Sequence, residues 1–381
     1  MGQFEQIHVQ GFRRLADVEL PLRPLCVMIG ANGCGKTSVL DVFSLLAASA
    51  SAGLKEQLSE MGGLKANLTV GRADRFAVQL SMAVEGENPI IYELEVAPTN
   101  VAYELTAEVL SQQRDANPPP MKFIQSHYGN IRYYQTSGGL IEPTWDHDPL
   151  ESSLAQVPKL FQEPEQFRKN LASSSHYHAL DVRPRAPVRL PQPLRPAKLP
   201  GRDGEDLVSC LFYMRETDRE RFGVVEDTLR AGFPDFERLD FPPVAAGTLA
   251  MTWKDRNFGE PVYMHQLSEG ILRFLWLVTL LHSPGLTAVT LIDEPEVSLH
   301  PELLSLLADL MREASSRTQL VVATHSDRFV RFLRPEEVIA LNVSDEGVAS
   351  LTWADQLDLD AWMDDYTLDE VWRMGRMGAR Q

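Results

Sequence analysis

Cysteine is scarce: Cys26, Cys34 and Cys210 are the three in 381 residues, an odd number at unrelated spacings. That excludes a disulfide framework or a cysteine zinc site and matches a reducing compartment. Long apolar runs are also missing. The best candidate, FLWLVTLL after Arg273, closes at His282 and Pro284, too short to span a bilayer. The opening MGQFEQIHVQGF has no basic region followed by an apolar stretch, so it reads as a first strand and not as an export signal. A cytoplasmic protein with no membrane partner is expected.

Positive charge is in deficit. Lys and Arg number 36 against 53 Asp and Glu, a net charge of -17 that excludes a uniformly basic nucleic-acid surface. Contact with DNA would need a local patch, and one stretch qualifies. From Val182 to Arg202 stand Arg183, Arg185, Arg189, Arg195, Lys198 and Arg202 with no acid between them. Six prolines interrupt it, so an extended linker with solvated charges is the other reading. Internal repeats, heptad arrays and low-complexity tracts are absent.

What is present has a clear order. Ile7, Val9, Phe12, Val18 and Leu20 alternate around Gly11 and Ala16, which predicts short paired strands. The apolar LCVMI (Leu25 to Ile29) predicts a buried strand, and Val39, Leu40, Phe43 and Leu46 have the spacing of a helix from Lys36 to Ala50. Between Phe76 and Leu110 the period becomes two, predicting three antiparallel strands with a turn at Gly86. Helices are expected at 206–215, 219–231, 271–281 and 301–315. Buried strands at 288–292 and 319–324 flank the last of these, a strand-helix-strand unit that implies a parallel sheet.

The turn between strand 25–29 and its helix reads Gly30, Ala31, Asn32, Gly33, Cys34, Gly35, Lys36, Thr37, with Ser38 next. It fits G-x-x-x-x-G-K-[ST], where glycines let amide N–H groups surround phosphate oxygens, the lysine reaches the β- and γ-phosphates, and the hydroxyl meets Mg²⁺. In TLIDEPE, Asp293 and Glu294 end a buried strand. There a first carboxylate can hold Mg²⁺ through water and a second can polarise an attacking water; a surface turn is the alternative. LSEG (Leu267 to Gly270) opens a helix, so Ser268 is either a plain cap or a donor to a γ-phosphate beside Gly270. His325, in THSD, follows another buried strand, where it is either a site residue or an ordinary loop histidine. Cys34 lies in the phosphate loop, where the helix start could lower a thiol pKa or a small residue could simply fill space, and no redox role is expected of it.

In sequence order the phosphate loop, LSEG, LIDEPEVSLHP and THSD resemble the motifs of ABC-type ATPases. The match is to the RecF/SMC/OLD-like branch, because the loop stands near the N-terminus after GFRRL and DEPEVSLHP replaces the run found in transporters. The separation of Gly30 from Leu267 implies a head split by an insertion. The closing DDYTLDEVWRMGRMG also resembles the tail of small stand-alone RecF-like ATPases, although Asp369 stands where that pattern has glycine. The resemblance implies an α/β P-loop NTPase fold, with a mixed or parallel core sheet, an antiparallel β subdomain and a large insertion. Its expected division is an N-terminal lobe 1–116, a loop-rich insertion 117–204 with short strands and a helix, a C-terminal lobe 205–345 and an acidic, exposed tail 346–381. DLD at 358–360 is read with that tail, since the residues after His325 are too few for the nuclease domain of OLD proteins.

The resemblance also implies ATP and Mg²⁺ as cofactors and ATP hydrolysis driving closure of a homodimer. Lys36, Thr37, Asp293 and Glu294 would act in one protomer, with Ser268 of the other closing over the same ATP and His325 sensing its γ-phosphate. Arg13 would approach the phosphates or stand as a surface arginine. For the coupling glutamine of ABC proteins, Gln79 and Gln125 are the candidates. Such a machine would work on DNA or a DNA-acting partner, in repair or defence against phage; the alternative is a regulator of a separate nuclease or toxin effector. A transporter subunit fits less well.

Overall fold

The computed structural model describes residues 2–114, 119–134, 139–159, 161–363 and 365–378, so the expected boundary at 116 and 117 lies outside the described residues. The chain opens with strands Phe4–Phe12 (β1) and Leu15–Pro21 (β2), paired antiparallel about a turn at Arg13. Strand Leu25–Ile29 (β3) leads through the glycine turn into helix Lys36–Ser49 (α1), followed by the short helix Leu54–Glu60 (α2). The period-two region forms strands Phe76–Met82 (β4), Ile90–Pro98 (β5) and Tyr103–Gln112 (β6). Gly86 turns between the first two at φ 75°, as its position predicts.

The antiparallel sheet is larger than the sequence suggests. Strands Met121–His127 (β7), Asn130–Tyr134 (β8) and Leu140–Ile141 (β9) extend it to eight in the order β2-β1-β4-β5-β6-β7-β8-β9. The added strands escape a periodicity reading because β8 and β9 bury few of their residues. Helix Gln162–Ala172 (α3) then packs Phe167 against Phe4 and Tyr92 on this sheet.

A second sheet of six strands carries the site. Its order places Ser175–Tyr177 (β10) beside Val289–Asp293 (β17), then Gln319–Ala323 (β18), β3, Val338–Val343 (β19) and Ala349–Trp353 (β20). All pairings are parallel except β19 with β20, the mixed core expected of the fold. The stretch 117–204 thus divides its elements: β7 to β9 join the antiparallel sheet, and β10 is an edge of the core sheet. Two small sheets complete the chain, one of Gln192–Pro193 (β11), Pro243–Ala245 (β13) and Thr248–Leu249 (β14). The other holds Phe236–Asp240 (β12), Thr252–Asp255 (β15) and Val262–Tyr263 (β16).

Alternation along β3 joins two cores. Leu25, Val27 and Ile29 face one cluster, filled by helices Leu207–Thr217 (α4), Arg219–Gly232 (α5), Glu269–His282 (α6) and Pro301–Ala314 (α7). Cys26 and Met28 face the other, with α1 and the antiparallel sheet. This is why the strand is apolar at every position. Helix α7 shows the pattern that the sequence predicts: His300 caps it, Pro301 opens it, and Leu303, Leu304, Leu307, Leu310 and Met311 are buried. Each such side chain contributes about 2 kcal/mol of burial.

The tail corrects one expectation. Leu359, Leu368, Val371, Trp372 and Met377 sit in the first core, and Arg373 pairs with Asp327. Spacing explains it, since Leu368, Val371 and Trp372 form an apolar stripe on the last helical turn, within a segment whose composition alone reads as acidic and solvated. Among the described residues no helix is long and apolar enough to cross a membrane.

Candidate functional site

The carboxyl ends of β3, β17 and β18 lie side by side, and the motif residues leave the core there. After β3 the chain turns at Gly30, whose φ of 149° and close approach to the Leu341 carbonyl leave no room for a side chain. Gly35 begins α1 at φ 117° with no side chain capping it, and no acid stands in the first turn. The amide N–H groups of that turn are therefore directed outward without a built-in acceptor, which suits an anion. Lys36 folds back across the loop. Its ammonium donates to the carbonyls of Gly30 at 2.6 Å and Ala31 at 3.1 Å and stands 3.3 Å from His325 Nδ1. Burial pulls its pKa below the usual lysine value, with Cys34, Asp293 and Glu294 acting in the opposite sense.

Thr37 is exposed, Ser38 is buried, and both line a cavity with Gly33, Gly35, Lys36 and His325. Arg13 reaches the same cavity. It is neither free nor fully solvated: its guanidinium bonds Asn67 at 2.8 Å and pairs with Asp41 of α1. Ala31 and Asn32 line a neighbouring cavity with His325 and Trp372.

Asp293 ends β17, half-buried. Burial first, and then the neighbouring Glu294, raise its pKa. Glu294 leaves the strand at φ 50°, uncommon for a non-glycine residue, while its N–H donates to Ala323 at 2.9 Å. The turn places its carboxylate 3.9 Å from His325 Nε2. Partial burial and then Lys36 lower the pKa of His325. With Nδ1 accepting from Lys36, the ring proton sits on Nε2, toward Glu294. The site therefore links a cation, an imidazole and a carboxylate in one chain of contacts.

Sequence reasoning missed four contributors. Glu296 accepts from Thr324 Oγ1 at 2.6 Å and from the His325 N–H at 3.3 Å, pinning the histidine turn, while its other oxygen is buried without a partner among the described residues. Its place two residues past Glu294 in DEPE was the available signal. Arg189, expected as a phosphate contact or a solvated charge, is buried. It donates to the carbonyls of Val182 at 2.5 Å, His265 at 3.2 Å and Leu267 at 2.9 Å, the last being the first residue of LSEG. Within the same stretch Arg183 pairs with Asp181 and Arg195 with Asp206. His176 and His178, on and just past β10, are the third and fourth. Burial drives the pKa of His176 to about 3, and its ring lies 4.1 Å from that of His178 between centroids.

The glutamine candidates are not at this site. Gln79 lies within β4 between β1 and β5, and Gln125 within β7, both in the antiparallel sheet. Their alternation with apolar neighbours marks them as the polar face of a half-buried sheet.

Ser268 caps α6, accepting from the Ile271 N–H at 3.3 Å. With Gly270 it lines a separate cavity beside Ser298 and His300, and neither residue borders the cavities at the phosphate loop.

The sequence pattern of a family described as "AAA domain, putative AbiEii toxin, Type IV TA system" matches residues 25–331. No curated protein matches the chain. Among solved structures, an Smc head bound to the C-terminal winged-helix domain of ScpA is similar with a TM-score of 0.56 and 16% identity, over 95% of this chain and 99% of that one. An Smc head with an extended coiled coil, bound to the C-terminal domain of ScpA and derived from Pyrococcus furiosus, gives 0.55 and 13%, over 98% and 100%. At these identities the likeness is one of fold.

Proposed function

The chain belongs to this AAA-domain family, and we propose that it is an ATPase whose catalytic sites are each completed by a second copy of the chain. One observation carries the reading. Ser268 and Gly270 open onto a cavity apart from the one at Lys36 and Thr37, which supports a site whose two halves come from different chains. Face-to-face pairing of two copies would bring each half against its complement, twice, as a twofold interface requires.

In this reading the amides from Gly30 to Ser38 receive the phosphates, and Lys36 exchanges the Gly30 and Ala31 carbonyls for phosphate oxygens. Thr37 and Asp293 would hold Mg²⁺, whose charge offsets that developing on the γ-phosphate. Glu294 takes the proton of the attacking water, His325 reports on the γ-phosphate, and Ser268 and Gly270 of the partner close the site. Residues fit the roles: the first turn of α1 is uncapped, and Asp293 is a half-buried carboxylate whose burial favours a cation beside it.

Removing the base while keeping the shape tests the pairing. Glu294→Gln should bind ATP, fail to hydrolyse it and accumulate as a closed dimer, read by light scattering behind a sizing column. Elution as a single chain with ATP and magnesium present would remove the support for pairing.

The output is work on DNA or a DNA-acting partner, in repair or defence. A separate effector protein is the second reading, and the engagement of Arg183, Arg189 and Arg195 within the chain favours it by leaving the basic stretch fewer groups for phosphate. DNA-stimulated hydrolysis that falls steeply with salt marks the first, and an equimolar copurifying protein the second.

A further inference from the structure

Strand β10 runs parallel to β17 with His176 opposite Leu291 and Tyr177 opposite Ile292, so the register carries His178 to Asp293. His176 and His178, two apart, share a face. One ring nitrogen of each and one carboxylate oxygen of Asp293 all lie within 4.8 Å of one another.

His176 is built to be a ligand. Ser44 of α1 gives its hydroxyl proton to the Leu40 carbonyl at 3.1 Å, so its oxygen accepts from His176 Nδ1 at 3.1 Å. That bond places the only proton of the neutral ring on Nδ1, leaving Nε2 a lone pair. This Nε2 is buried and has no hydrogen-bond partner among the described residues, in a residue that is 8% exposed. A buried acceptor left alone is costly. An imidazole whose second nitrogen donates to an oxygen, with its first nitrogen bare, is the arrangement that metal-binding histidines use.

We infer that His176, His178 and Asp293 form a site for a first-row divalent cation of borderline softness, Zn²⁺ or Co²⁺ in preference to Mg²⁺. Two imidazoles and one carboxylate suit such ions, whereas Mg²⁺ selects oxygen. The inference rests on the proposed function in one respect. Asp293 belongs to both arrangements, so an ion held by the imidazoles draws this carboxylate away from the nucleotide's magnesium and inhibits hydrolysis.

The probe is Co²⁺ added to the untagged full chain without nucleotide, followed by its visible absorption. Wild type should bind one ion per chain, and His178→Gln should weaken binding more than tenfold, at least the loss that outer-sphere changes cause in metal sites. His178 is exposed, so this variant keeps its fold even where His176→Gln does not. Absence of Co²⁺ binding, or equal affinity in wild type and His178→Gln, overturns the inference. ATP binding is measured on the same samples: a chain that binds ATP but not Co²⁺ sinks the metal site alone, and one that binds Co²⁺ but not ATP sinks the ATPase reading alone. Micromolar Zn²⁺ should also inhibit hydrolysis in wild type and much less in His178→Gln, and equal inhibition of both would overturn the regulatory step.

Discussion

Glu296 shows how one side chain tunes the site without belonging to the phosphate loop. One oxygen holds Thr324 and the His325 N–H, and the other is buried with no partner among the described residues. Glu296→Ala leaves both donors unpaired, at a cost of about 1–3 kcal/mol, and frees the turn that aims His325 at Glu294. The turnover number should fall while ATP affinity is kept, and a loss confined to ATP affinity would argue that the carboxylate serves binding instead. Glu296→Gln retains an oxygen acceptor and removes a titration. Burial raises the Glu296 pKa above its ordinary 4.5, so the folded chain holds this proton more tightly than the unfolded one. Stability is then lost as pH rises from about 4.5 through the folded value. The melting temperature of Glu296→Gln should gain on wild type across that window, and parallel curves would show that the carboxyl does not titrate there.

Elements set which of these residues the sequence could reveal. The phosphate loop, Asp293, Glu294, Ser268 and His325 were legible because each stands at the end of an apolar strand or the start of an apolar helix, where pattern and motif coincide. The middle of the chain was not. Strand β10 has three residues in a proline-rich stretch, and its place at the core edge is fixed by pairing with β17, a contact between residues more than a hundred positions apart. Arg189 was misread for the same reason: charge in a sequence reads as solvated, and only the fold brings the His265 and Leu267 carbonyls to it. It clasps the turn that leads into α6. Arg189→Ala should release the turn before α6, cutting hydrolysis tenfold or more while nucleotide binding by the loop persists. Arg189→Lys should not rescue it, because one ammonium on a flexible stem cannot reproduce a planar fork directed at three carbonyls. Full activity in the lysine variant would show that only charge is needed.

At the scale of the molecule the question is whether the two half-sites of one chain ever serve each other. Two disabled variants answer it. Lys36→Met removes the lysine of the phosphate loop, and Ser268→Arg obstructs the cavity at Ser268 and Gly270, at the loss of a helix cap worth about 1 kcal/mol. If each site draws Lys36 from one chain and Ser268 from the other, a mixed dimer concentrates both lesions in one site and leaves the second intact. Equal mixing makes half the dimers mixed, and half of their sites whole, so two inactive preparations should recover about a quarter of wild-type hydrolysis. Sites contained within single chains predict no recovery at any ratio. The recovered rate should also rise with the square of concentration where pairing is incomplete, since the active species is the pair. Linear dependence through that range would place the activity in the lone chain, and Ser268 would then be a helix cap and nothing more.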